Sequence, residues 1–258
     1  MILYPFTPNE LKVLEDKYRL TFQTNSSPLS VQVSHLINDN QAHIYLTTVK
    51  EKTKSANLGV AASLFVKRYS FAVLIALYSM SAFNKRINFS IDNLSVETLD
   101  ESDILWLPSI KFNDINLSPA SQENRARWRS EILKEIFANH IEVLFKQLSS
   151  VSKLSKIIMW ENLYIYIVWM YKNLLADQLY SKSHHNIKED FDMITAYGES
   201  ILFGDYKENP FVKFRGTNDC QSILGETVYN RKTCCLSYLT ENKGYFCKNC
   251  PIKRKQSN

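Results

Sequence analysis

Cys234 and Cys235 stand side by side, eleven residues follow, and Cys247-Lys248-Asn249-Cys250 completes a C-x-x-C, so four of the chain's five cysteines fall close to its C-terminus. Thiolates bind soft or borderline metals and iron–sulfur clusters, whereas Mg and Ca prefer oxygen. A C-x-x-C turn brings two sulfurs onto one metal atom, and Gly244 and Pro251 flank this one where the chain must reverse. The adjacent pair is harder to place. In extended backbone neighbouring side chains point to opposite sides, so Cys234 and Cys235 converge awkwardly on one small ion. A two-iron cluster offers two metal atoms and takes four cysteines, which makes a [2Fe–2S] cluster the leading reading. Structural zinc stays open as an alternative, although zinc ribbons use two C-x₂₋₄-C pairs. Disulfides or free thiols stay open as well, although fold-stabilising disulfides suit small secreted domains.

Around these cysteines lie Asn209-Pro210, Gly225, the run from Arg231 through Leu239 (RKTCCLSYL) and the run from Gly244 through Pro251 (GYFCKNCP). Together they resemble the C-terminal cluster region of FhuF-type siderophore-iron reductases. The spacer of eleven is one residue longer than the family pattern, and Lys232 stands where a second arginine is common. Upstream, Ala61 to Tyr69 (AASLFVKRY) and Trp160-Glu161-Asn162 look like the helical region shared with the C-terminal domain of IucA/IucC siderophore synthetases. The resemblance implies a [2Fe–2S] cluster on Cys234, Cys235, Cys247 and Cys250. It also implies one-electron delivery to a ferric siderophore with release of Fe(II); a hydroxamate or citrate-hydroxamate chelate is the expectation, and the residues themselves do not select the type.

The 258 residues suit one large domain, or one domain with an appendage, and can bury a substantial core. With only six glycines, and neither a G-x-G-x-x-G nor a P-loop, nothing supports a bound flavin or nicotinamide. The electron must then come from an external donor. A formal charge of +5 gives no concentrated basic face of the kind nucleic acid requires. Lys253-Arg254-Lys255 reads as a solvated tail, or else as a docking patch for an acidic donor or an anionic membrane surface. The first residues lack the pattern of a secretory signal, and Phe71 to Phe83 and Ile157 to Leu175 are interrupted by polar residues. The expectation is a cytoplasmic protein, with peripheral contact at the inner face of the cell membrane as an option.

To position the cysteines, the pattern predicts a mainly α (α+β) fold. Helices are expected over 8–24, capped by Thr7 or Asn9, and over 30–38, 56–82, 121–149, 153–177 and 187–203. A strand is expected over 43–49, and a small antiparallel meander at about 87–107 from Ile87–Ser90, Leu94–Thr98 and Ile104–Leu107. A helical siderophore-binding body would occupy 1–204, and an irregular cluster-binding appendage 205–258. No internal repeat is present.

Other residues carry weaker signals. Arg231 could donate to cluster sulfur or to substrate. Lys67, Arg68, His140, Trp160 and Asn162 are candidates for a substrate pocket. His140 is equally a core histidine, and Glu161 and Asn162 in an apolar helix need partners, with Lys67 or Arg68 the nearest cations to expect. Cys220 is the odd thiol, a free cysteine or a substitute ligand. His184-His185 reads as solvated, and Arg125, Arg127 and Arg129 around Trp128 as an anion-attracting or merely exposed face. Tyr164, Tyr166, Trp169 and Tyr171 read as core, with some lining a groove. Two rival functions are a zinc-stabilised siderophore-binding or scaffold protein and a synthetase-like ligase, the second without an ATP-binding segment.

Overall fold

The computed structural model describes residues 6–115, 117–119, 124–215, 230–241, 246–247 and 250–256. Cys220, Gly225 and Gly244 lie outside them. Two apolar helices form the centre: α3 (Leu58–Phe83) and α6 (Lys156–Ala176). Asn57 caps α3 by accepting the Val60 N–H at 3.1 Å, and Asn84 ends it in the left-handed region at φ 53°. Hydrophobic on every side, α3 must be enclosed. By length and composition it could cross a membrane, yet 89% of its apolar window is buried inside the fold. Ser70 and Ser79 bond back to Val66 and Ile75 carbonyls within the helix. Contacts with α6 advance in the same sense along both helices: Ser63 with Asn162, Phe71 with Tyr166, Ser81 with Tyr171.

The other helices wrap this pair: α1 (Pro8–Tyr18), α2 (Asp39–Thr53), α4 (Arg125–Ile136), α5 (Glu142–Ser152), α7 (His184–Asp192) and the short α8 (Val212–Arg215). The expected helix over 8–24 stops at Tyr18, because Arg19 turns left-handed (φ 62°) and Leu20 bridges to Ile110. Thr7 provides its capping box with Glu10. Residues 43–49 are helical, correcting the expected strand. Their β-prone composition is overridden by Ala42, Tyr45, Leu46 and Val49, which share one buried helical face. Residues 30–38, expected to be helical throughout, form the short strand β1 (Val31–Gln32) and a 3₁₀ segment, Val33–Ile37. The expected 121–149 helix is α4 and α5 joined by a wide π turn at Phe137–Ile141, and it begins after Asn124, whose side chain caps Arg127. The expected 187–203 helix ends in a second π turn, Met193–Tyr197, and a 3₁₀ segment, Ser200–Leu202.

Strands β2 (Lys85–Ile87), β3 (Leu94–Glu97), β4 (Ser109–Phe112) and β5 (Leu117–Pro119) form two small antiparallel sheets, ordered β1-β3-β4 and β2-β5. The meander is therefore shifted. Ile104–Leu107 is a turn, because the Asp103 carboxylate accepts the N–H groups of Leu105 and Leu107, and Trp106 lies at φ 46°. Arg68 secures that turn by donating to the Leu105 and Trp106 carbonyls, each at 3.0 Å.

A buried ion cluster joins α3, α4 and α7. Asp190, fully buried, accepts two bonds from Arg125 at 2.7 Å, one from Arg129 at 3.2 Å and one from Ser81 at 2.8 Å. Arg127 pairs with Glu131 on the surface, so each of the three arginines has a carboxylate partner within the chain.

His140 sits in the core with both ring nitrogens engaged. The Phe89 carbonyl can only accept, so Nδ1–H donates to it at 2.8 Å, and Nε2 accepts from the Tyr69 hydroxyl at 2.6 Å. Burial presses its pKa from 6.5 down to about 4, partly opposed by the Phe89 bond. The unfolded chain therefore takes up the proton first as pH falls, and stability is lost through that window. At one pKa unit per 1.36 kcal/mol, about 3 kcal/mol is expected to disappear between neutrality and pH 4. Urea unfolding across that range should show a flatter pH profile for His140→Gln than for the parent; parallel profiles would contradict this.

Candidate metal centre

The segment from Arg231 to Leu239 is anchored on the central pair of helices by polar groups that α6 buries. Glu161 and Asn162 are both fully buried. The Glu161 carboxylate accepts the backbone N–H of Lys232 at 2.6 Å and of Thr233 at 2.7 Å, and the Thr233 hydroxyl bonds to it as well. Arg231, 6% exposed, donates to Asn162 Oδ1 at 2.6 Å and to the Thr233 carbonyl at 3.0 Å, and lies 3.6 Å from Glu161. Asn162 in turn donates to Ser63 of α3 at 2.9 Å, and Ser63 donates to the Cys235 carbonyl at 2.7 Å. The cations engaging Glu161 and Asn162 thus include Arg231, while Arg68 faces the Leu105–Trp106 turn. On the other side Ala56 N–H reaches the Leu239 carbonyl and Glu241 N–H reaches that of Lys54, tying the spacer to the α2–α3 junction.

This anchoring brings the cysteines together. Cys234 Sγ and Cys250 Sγ are 3.8 Å apart, Cys235 and Cys247 line one cavity, and the Cys250 N–H reaches the Cys247 carbonyl at 3.0 Å. The helix Pro251–Gln256 starts immediately after, with proline at its first position. A 3.8 Å separation is far beyond a disulfide, whose sulfurs are about 2.05 Å apart. It equals the spacing of two sulfurs held about 2.3 Å from one tetrahedral metal. All four thiols are free. Among the described residues no group of three or more His, Cys, Asp or Glu side chains gathers about one point, and the short contact between sulfurs is Cys234–Cys250. Four thiols in this number and chemistry fit the ligand set of a two-iron cluster.

The four sulfurs differ in surroundings. Burial pushes the Cys235 thiol up, but the Lys67 and Arg231 charges and the Ser237 hydroxyl outweigh it and bring it to about 7. Lys67 Nζ is 4.0 Å from Cys235 Sγ and 3.0 Å from Ser237 Oγ, and that hydroxyl is 3.2 Å from the same sulfur. Cys234 is raised to about 11 by burial and by Cys250, against which the Leu236 N–H at 3.4 Å works. Burial and the neighbouring thiols raise Cys247 too.

Cys235 and Cys247 open onto a cavity of about 430 Å³. Its apolar wall is Phe71, Ile165, Tyr166 and Trp169, and its polar edge is Lys67, Asn162 and Arg231. The guanidinium of Arg19 lies 4.3 Å from the Phe71 ring centre. Of the pocket candidates named from sequence, Lys67 and Asn162 line this cavity. Arg68 holds the Leu105–Trp106 turn, and His140 is enclosed by Tyr69 and Phe89. Trp160 is buried among Phe137, Phe145, Phe203 and Phe211, its indole N–H donating to Tyr206. Phe211 and Phe214 pack on Tyr164, so the chain just beyond residue 205 also reaches the core. Tyr171 is core, bonded to Ser81, whereas Trp169, 44% exposed, lines the cavity. Ser63 and Ser237 carry no signal in sequence, being ordinary serines until folding brings them to Cys235. Glu161 did carry one, as a carboxylate in an otherwise apolar helix.

Residues 231–251 match the model of the FhuF 2Fe-2S C-terminal domain, and no match to a curated protein is found. The match spans both cysteine pairs, and the matched segment is a 2Fe–2S-binding domain, so the cofactor is a [2Fe–2S] cluster. The match does not reach the helical body, and it lends no support there to the likeness with the IucA/IucC domain.

Proposed function

We propose that this chain, with its FhuF-type 2Fe–2S segment, is a ferric-siderophore reductase. The observation that carries the reading is that two of the four cysteine ligands, Cys235 and Cys247, line a cavity with an aromatic wall. When bound, the cluster supplies one electron at a time. The chain's own residues do the rest. Glu161, Asn162 and Arg231 hold the ligand segment against α3 and α6. Phe71, Tyr166 and Trp169 give a chelate an aromatic wall beside the sulfurs. Hard hydroxamate oxygens favour Fe(III) over Fe(II), so one electron weakens the complex and frees Fe(II), on this reading in the cytoplasm. A hydroxamate or citrate-hydroxamate chelate is the proposed substrate, and an external one-electron carrier the proposed donor. Leu99, Ile104, Leu105 and Leu107, exposed on one loop, are where a peripheral membrane contact would form.

The test is anaerobic. Protein reduced with dithionite and freed of excess reductant is mixed with a ferric trishydroxamate and a chromophoric Fe(II) trap. Recovery of the oxidised visible spectrum, with about one Fe(II) trapped per cluster reoxidised, is expected. Protein that stays reduced would overturn the assignment.

A further inference from the structure

The four thiols are not equivalent, and the difference has a direction. Cys234 and Cys250 meet at 3.8 Å, while Cys235 and Cys247 face one cavity. Only the second pair lines the cavity. Among the described residues, only Cys235 is bracketed at its sulfur by a side-chain cation and a hydroxyl, Lys67 at 4.0 Å and Ser237 at 3.2 Å, with Arg231 on the same cavity edge. Lys67 is itself fixed, since its Nζ is bonded to Ser237 at 3.0 Å and Ser237 is 2% exposed. Across the pair, Cys234 receives a backbone N–H from Leu236 at the longer distance of 3.4 Å.

Positive charge and hydrogen bonds at a thiolate stabilise added negative charge on the metal it binds and raise the reduction potential. Coulomb interaction at such distances is worth several times more in a partly buried site than in water. We propose that the ligands divide into an inner pair, Cys234 with Cys250, and a cavity pair, Cys235 with Cys247, so that the C-x-x-C is shared between two metal atoms instead of closing on one as its spacing suggests, and that Lys67 is a positioning residue. Fixed through Ser237, it places positive charge beside the cavity pair and would favour added negative charge at the metal which that pair would hold. This rests on the [2Fe–2S] reading of the site. No bond is made or broken: a low-potential one-electron donor would supply the electron, and the cavity pair would face the acceptor. Ser63 and Ser237, unremarkable in sequence, thereby acquire a purpose: they hold Cys235 from its carbonyl and its sulfur at once.

Two readouts test this on the cluster-loaded protein. Redox titration followed by electron paramagnetic resonance should give Lys67→Met a reduction equilibrium constant about tenfold lower, which is about 59 mV for one electron. Ser237→Ala should fall in the same direction by less, and Lys67→Arg should return close to the parent. Lys54→Met, which removes a charge from an exposed pair with Glu241, serves as a distant control and should not move it. A Lys67→Met potential equal to the parent's would overturn the role of Lys67. Independently, nuclear magnetic resonance of the reduced protein should show the Cys235 and Cys247 β-protons with the shift pattern of the ferrous site, and those of Cys234 and Cys250 with that of the ferric site. Cys234 and Cys235 sharing one pattern would overturn the pairing. Neither readout involves a chelate, so failure here leaves the reductase assignment standing, and failure of chelate reduction leaves this asymmetry standing.

Discussion

Replacing Glu161 with alanine is expected to strip the protein of its iron while the helical body stays folded. The carboxylate is fully buried and serves the backbone N–H groups of Lys232 and Thr233, the Thr233 hydroxyl and the Arg231 guanidinium. Those partners lie within three residues of Cys234. Without the carboxylate, the buried Arg231 guanidinium and the part-buried N–H groups of Lys232 and Thr233 lose this acceptor. Removing one partner of a buried ion pair costs about 3–5 kcal/mol, and the two N–H groups, which water can partly serve, add less than the roughly 1–3 kcal/mol of a fully buried donor. The segment can escape that cost by leaving α6, which separates Cys234 and Cys235 from the C-x-x-C half. Glu161→Gln should lie between, because an amide keeps one acceptor but turns its N–H₂ towards a second donor. Iron content after gel filtration, beside far-ultraviolet circular dichroism, is the check. Full iron in Glu161→Ala would contradict the anchoring role.

The second large effect concerns the body itself. Asp190→Ala leaves Arg125 and Arg129 facing each other without the carboxylate that joins α3, α4 and α7. Both guanidiniums are largely enclosed, and Arg129 is 3% exposed. A loss of about 3–5 kcal/mol is expected. For a domain of this size that lowers the melting temperature by roughly 6–20 °C. A melting temperature within a degree or two of the parent would show that the arginines find other partners, with Glu189, already 3.0 Å from Arg129, the nearest. Unlike Glu161→Ala, this change acts on the cluster only through global unfolding, so the two variants separate local from general loss.

How far the sequence foretold this depends on whether the deciding contact is local. The metal site was legible because its ligands are crowded into one short segment and cysteine chemistry limits what they can hold. The α3 and α6 helices were legible because their apolar runs exceed anything a strand needs. Residues 43–49 misled because β-branched and aromatic residues are dense there, and the buried face of Ala42, Tyr45, Leu46 and Val49 shows only when the window is widened. Ile104–Leu107 has the composition of a strand, but Asp103 and Arg68 take up its backbone groups. The cluster's cradle was hidden for the same reason. Lys67 and Ser63, four residues apart on α3, face the cysteines, while Arg68, about 100° further round the helix, faces the 99–107 loop. Nothing in the local pattern of AASLFVKRY distinguishes the two cations.

The most direct test of the central claim, that these four cysteines hold two irons and two sulfides, is metal and acid-labile sulfide analysis of anaerobically purified protein. It is read beside single Cys→Ser variants at positions 234, 235, 247 and 250. Iron and sulfide at about two each per chain, with visible bands bleached by dithionite and lost in each variant, are expected. A colourless protein carrying one zinc and no sulfide would contradict it.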